Sequence, residues 1–119
     1  MQGYAIQRSV RQSPRKMRLV VDEIRGRNVN DAYAILQFSK KVAAKQIAKT
    51  LKSAVANAEQ KALASNERFE LDDLRVVKAV VNAGQTLKRF GAAAQGRGVP
   101  IRKRTSHLEI TVAAIKEKA

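Results

Sequence analysis

Cysteine and tryptophan are absent from this sequence of 119 residues, histidine occurs once and proline twice. The missing thiols exclude disulfides and thiolate metal ligands and fit a reducing compartment. A lone histidine, His107, offers no cluster for a metal site, so no metal and no cofactor is expected. Only five residues are aromatic and nineteen are alanine, which predicts a thin core and a free protein of marginal stability. No apolar run approaches the length of a membrane span, and the first residues lack the apolar core of a signal peptide. The expectation is a soluble cytoplasmic protein with no membrane partner, folded as a single domain over 1–119.

Acidic residues are missing from two long stretches, and this absence is the most informative. Met1–Val21 carries Arg8, Arg11, Arg15, Lys16 and Arg18 with no acid, and Leu74–Leu108 carries Arg75, Lys78, Lys88, Arg89, Arg97, Arg102, Lys103 and Arg104 with none. These thirteen cations account for all but one unit of the net charge of +14, since the rest of the chain holds eleven basic and ten acidic residues. Such segregation opposes folding by self-repulsion unless a polyanion neutralises two particular surfaces. Nucleic acid is the leading candidate.

Local patterns place these charges on elements. Tyr4, Ile6, Arg8 and Val10 alternate with Ala5, Gln7 and Ser9, which predicts an opening strand. Ser13-Pro14 reads as an N-cap followed by proline at the first helical position, with Met17, Val20, Val21 and Ile24 as the inward stripe and Gly26 as the stop. Arg15 and Lys16 in that first turn oppose the helix dipole. A phosphate bound there resolves the conflict; the alternative is two solvated side chains. Asn30 is the expected cap of a second helix with Ala32, Ile35, Leu36 and Phe38 inward. A third helix is expected from about Lys40 to Ala64, with Ala44, Ile47, Ala48, Leu51, Val55, Ala58 and Ala62 inward. Lys41, Lys45, Lys49 and Lys52 line another face of it, read as solvated.

Ser65–Asp73 reads as a loop, Leu71–Asn82 as a strand rich in valine, and His107–Ile115 as a strand with Leu108, Ile110 and Val112 on one side. Adjacent acids Asp72-Asp73 suit a turn or strand entry better than a metal pair. Between the two strands, Ala83–Ser106 holds four glycines, Pro100 and six basic residues without an acid. A structureless segment of this length is uncommon in a compact domain. Joining two strands, it reads instead as a hairpin arm whose two sides, at about 3.3 Å per residue, project on the order of 40 Å. A lone two-stranded ribbon is barely stable in water, so folding on binding is expected.

Taken together and in order, Ser13-Pro14-Arg15-Lys16, Arg18-Leu19-Val20, Ile24-Arg25-Gly26, Ser53-Ala54 with Ala56-Asn57-Ala58-Glu59, Leu87-Lys88-Arg89 and Lys103-Arg104-Thr105-Ser106-His107 are similar to a known set. Over nearly its whole length the chain resembles the large-subunit ribosomal protein family numbered twenty-two. The resemblance implies an α+β fold, three helices packed on a small three-stranded antiparallel sheet with a long protruding β-hairpin. It also implies a structural role on large-subunit ribosomal RNA, support of subunit assembly, and a hairpin that lines the nascent-polypeptide exit tunnel and faces the fourth large-subunit protein. The protein would be a monomer within the ribosome.

Carried over by position, the expected RNA-binding residues are Arg8, Arg11, Ser13, Arg15, Lys16, Arg18, Arg25, Lys78, Lys88, Arg89, Arg97, Arg102, Lys103, Arg104, Thr105, Ser106 and His107. The expected tunnel-lining tip is Phe90, Gly91, Ala92, Ala93, Ala94 and Gln95. Where many family members have proline, arginine, alanine and lysine, this chain has Ala92, Ala93, Ala94 and Gln95, two tip charges fewer. For His107, contact with RNA and structural pairing stay open.

Two other classes compete. An architectural DNA-binding protein also grips with a basic β-ribbon, but such proteins commonly carry a proline near the ribbon tip, and Pro100 is not there. A nuclease using Asp22, Glu23 or Asp72-Asp73 would bind its substrate phosphate far from its acids, because the acids avoid both basic segments. No catalytic residue is expected.

Overall fold

Strand β1 (Gln2–Val10) leads into helices α1 (Pro14–Ile24), α2 (Val29–Phe38) and α3 (Ala43–Ala64); a 3₁₀ turn (Leu71–Asp73) then precedes strands β2 (Leu74–Ala92) and β3 (Gly98–Ala114). The computed structural model describes residues 2–66, 70–92, 96 and 98–114. One antiparallel sheet has the order β1-β3-β2, so the last strand is central and β1 and β2 are its edges. This is the expected α+β fold, three helices and three strands, with β2 and β3 continuing together into a long hairpin.

Local signals set the helices. Ser13 caps α1, its Oγ accepting from the Lys16 amide at 3.4 Å, and Met17, Val20, Val21 and Ile24 are wholly buried. Gly26, in left-handed backbone at φ +79°, ends the helix. In α3 the predicted stripe is buried from Ala44 through Ala62, with Ala48 half-buried, and the four lysines of the other face are exposed. That helix begins at Ala43, not Lys40.

Two expectations for α2 need correction. Asn28 is the cap, accepting from the Asn30 amide at 2.9 Å, and Val29 supplies the first inward side chain. Phe38 is 81% exposed. The buried stripe is Val29, Ala32 and Leu36, and a residue two places beyond Leu36 lies about 200° around the helix from it.

The opening strand also differs. Gly3, Ala5 and Val10 are its buried positions, and Tyr4 is 44% exposed. Alternation fails because the register with β3 shifts between Gln7 and Val10, where Ser9 has φ +56°. This bulge exchanges the faces, so Val10 turns inward although Tyr4 does not. A second shift, between Val76 and Lys78, exposes Val77 and buries Val76, Ala79 and Val81. On the central strand Leu108, Ile110 and Val112 are fully buried, as alternation predicts.

The strands are longer than the local pattern indicates, since β2 runs on to Ala92 and β3 begins at Gly98, while β2 starts only at Leu74. Asp72 lies in the 3₁₀ turn and has the turn role expected of it. Its Oδ1 accepts from Asn30 Nδ2 at 2.6 Å and its carbonyl from Asn28 Nδ2 at 2.7 Å, tying the start of α2 to the entry of β2. Among the described residues no helix is long and apolar enough to cross a membrane.

Candidate nucleic-acid interface

Strand β1 makes its last pairing at Val10↔Ser106, whereas β2 and β3 stay paired from Thr86↔Arg104 to Ala92↔Gly98. Past Ser106 the sheet is therefore two strands wide, and the molecule is 68 Å long against 27 and 20 Å in the other directions. Of the expected tip, Phe90, Gly91 and Ala92 pair through their backbones with Pro100, Val99 and Gly98. Ala93, Ala94, Gln95 and Arg97 lie outside the described residues.

Strand alternation sorts the arm's cations by face. Residues directly opposite one another in an antiparallel pair share a face, and the next pair points the other way. Lys88↔Arg102 and Thr86↔Arg104 thus lie on one face, and Leu87↔Lys103 on the other. Lys88, Arg102, Arg104 and Thr86 line a cleft of about 320 Å³ together with Pro14, the first residue of α1. A like-charged pair facing across the strands opposes the pairing by roughly 0.2–1 kcal/mol. Among the described residues no carboxylate lines this cleft. Arg15 and Lys16 follow Pro14 directly and are exposed, as are Arg8 and Arg11 at the end of β1, next to the arm's root. Thr86 was missed from sequence, although it has the same strand parity as Lys88.

Three polar residues at the root turn inward. Ser106 is fully buried and its Oγ donates to the Gln12 carbonyl at 3.0 Å; Thr105 Oγ1 donates to the Gln85 carbonyl at 2.6 Å, across the register shift between Ala83 and Thr86. His107 Nδ1 accepts the Ser9 amide at 3.0 Å, the N–H that the β1 bulge removes from the ladder. The ring is thereby held as the tautomer protonated at Nε2. These contacts fix where the arm leaves the body.

Two more expected RNA ligands are engaged within the fold. Arg18 Nη2 donates to the Val81 carbonyl at 3.1 Å, and Arg25 donates through Nε and Nη2 to the Ala79 carbonyl at 3.1 and 2.7 Å. Both carbonyls belong to edge strand β2, on the side away from β3, so α1 caps an otherwise open edge with charged donors. Arg25 also pairs with Asp22 at 2.7 Å. Ser13 is occupied by its cap. Lys78 is exposed on the sheet face opposite Ile110, in a row with Thr111 and Tyr4. Replacement Arg25→Gln is expected to lower stability by about 1–2 kcal/mol in urea unfolding, the loss of charge-assisted bonds to one carbonyl. It should leave the salt dependence of RNA binding unchanged; a shallower dependence would assign Arg25 to a phosphate.

Fold and interface together define a basic α+β body with a two-stranded arm and a cation-lined cleft at its root. The profile of the family described as Ribosomal protein L22p/L17e matches residues 5–113, and the chain belongs to that family. It is 48% identical over 119 residues, all of both chains, to the large ribosomal subunit protein uL22 of Clostridium novyi. Identity to the protein of that name from Desulfitobacterium hafniense is 52% over 116 residues, 98% of this chain and 97% of the relative. For the Oceanobacillus iheyensis protein of that name it is 49% over 117 residues, 98% and 99%.

Proposed function

We propose that this chain is a non-catalytic structural constituent of the large ribosomal subunit in the cytoplasm, one domain that binds large-subunit ribosomal RNA by its body and arm. The observation that carries the RNA reading is the convergence of Lys88, Arg102 and Arg104 on the start of α1, beside Arg15 and Lys16, with no acid among the described residues of the cleft. The names of the full-length relatives support the subunit.

Mechanistically, the arm-root cations and the first turn of α1 take backbone phosphates, releasing counterions, while the shape of body plus arm selects the RNA fold. Arg8, Arg11 and Lys103 extend this surface to the flanks. Thr105, Ser106 and His107 act indirectly, by setting the arm's direction. The arm, residues 83–106, runs along the nascent-polypeptide tunnel as a monomeric element with its tip toward the fourth large-subunit protein. Its tip, Phe90 to Gln95, brings no charged side chain to the passing peptide.

Sedimentation of a native lysate in magnesium, followed by a high-salt wash of the large-subunit fraction, tests this reading. The chain should stay with that fraction in proportion to core ribosomal proteins. Loss from it with recovery on chromosomal DNA would replace the reading by an architectural DNA-binding one.

A further inference from the structure

A second cleft, about 640 Å³, lies between α2 and the start of α3 and shares no lining residue with the arm-root cleft. Leu36 and Ala44, both buried, and half-buried Ala48 form its floor; Lys40, Lys41 and Lys45, all exposed, form its rim. Among the described residues no acid lines it and none of the three lysines has a carboxylate partner. Val42, also in the lining, is 69% exposed, and nearby Phe38 is 81% exposed. The turn from α2 to α3 therefore presents large apolar groups to solvent beside three unneutralised cations.

We propose that this groove docks an acidic amphipathic segment of another protein, apolar side chains against Leu36, Val42 and Ala48 and carboxylates on Lys40, Lys41 and Lys45. Charge complementarity selects the sign of the partner, and the aliphatic floor selects its kind. Nucleic acid would meet the same lysines and the polar Gln37 and Ser39, but it brings no aliphatic side chains to cover Leu36, Val42, Ala44 and Ala48. Arginine, whose planar fork suits phosphate, lines the other cleft and not this one. A helix laid in the groove satisfies both features, anchoring at i, i+3 and i+4 with acids on its flanks. Tyr33 lines the same groove, and its phenol, protonated at neutral pH, can donate to a carboxylate.

Docking at this groove does not depend on the RNA reading, and its test is separate. The isotope-labelled full chain is titrated by NMR with a short helical peptide of leucine and glutamate at amphipathic spacing, with polyglutamate, and with single-stranded RNA. The peptide should shift the amides of Tyr33, Leu36, Gln37, Ala44 and Ala48. Binding should weaken by about tenfold in the Lys41→Glu, Lys45→Glu variant and also fall in Val42→Ser, with circular dichroism unchanged for these exposed positions. Equal shifts of the same amides by polyglutamate or by RNA would overturn the proposal, as would no shift with the peptide.

Discussion

Changing Lys88, Arg102 and Arg104 together to glutamine is expected to weaken binding to large-subunit ribosomal RNA by roughly two orders of magnitude near 0.1 M salt. Every phosphate left without its cation takes about 0.7–0.9 off the slope of log K against log salt, so the slope should become shallower by about two to three. The three side chains share one face of the arm and one cleft, so the expected loss falls on one stretch of RNA. Lys88 and Arg102 oppose each other as like charges across the strands, and relief of that repulsion favours the paired arm. Filter binding across a salt series, with a thermal melt of the free protein, reads both effects. An unchanged slope with an unchanged or higher melting temperature would take these cations off the phosphates. Adding Arg15→Ala and Lys16→Ala should flatten the slope further, which ties the first turn of α1 to the same anion surface.

Gly3→Ala is expected to cost about 2–3 kcal/mol, a drop of about 10 °C in melting temperature, a large effect for one methyl group. Strand β1 lies so close to α3 that a Cβ at Gly3 would strike the Ala54 carbonyl and stand 2.7 Å from the Ala58 Cβ. One of these neighbours is helix backbone and cannot rotate away, so the strand and helix must separate. Separation would strain the bonds that hold them, Asn57 Nδ2 to the Tyr4 carbonyl at 2.7 Å and the cluster of Gln7, Gln46 and Thr50. Adding Ala58→Gly should recover only part of the loss, because the Ala54 carbonyl remains. A melting temperature within a degree or two of the parent would show that the seam can open at little cost. The alanines at Ala54 and Ala58, which from composition alone suggest a thin core, serve here to bring helix and strand together.

Much of the scaffold is written locally. Ser13, Pro14 and Gly26 bound α1; the three-and-four spacing from Ala44 to Ala62 specifies α3; alternation through Leu108, Ile110 and Val112 specifies the buried face of the central strand. An arm between two strands follows from the length and glycine content of Ala83–Ser106, and the acid-free segments that carry the cleft's cations are plain in the sequence. Each of these depends on residues a few places apart, where hydrogen-bond geometry and side-chain period act directly.

Order along the chain thus specifies the elements and the segments that bear positive charge, while long-range packing selects which cations remain available. Arg18 and Arg25 look like their neighbours Arg15 and Lys16 along the chain, yet they reach carbonyls 63 and 54 residues away on the edge of β2. His107 is bound to an amide 98 residues away, freed by a bulge that the opening strand's alternation does not announce. The face of β1 is settled in the same way, by the surface that packs against it, whereas Phe38 turns outward by the helix period alone. A side chain's donors are consumed by whatever the fold brings near, and burial leaves no buried side-chain donor or acceptor unpaired among the described residues. Local pattern cannot encode that outcome, because the competing partners meet only after the helices and sheet have come together.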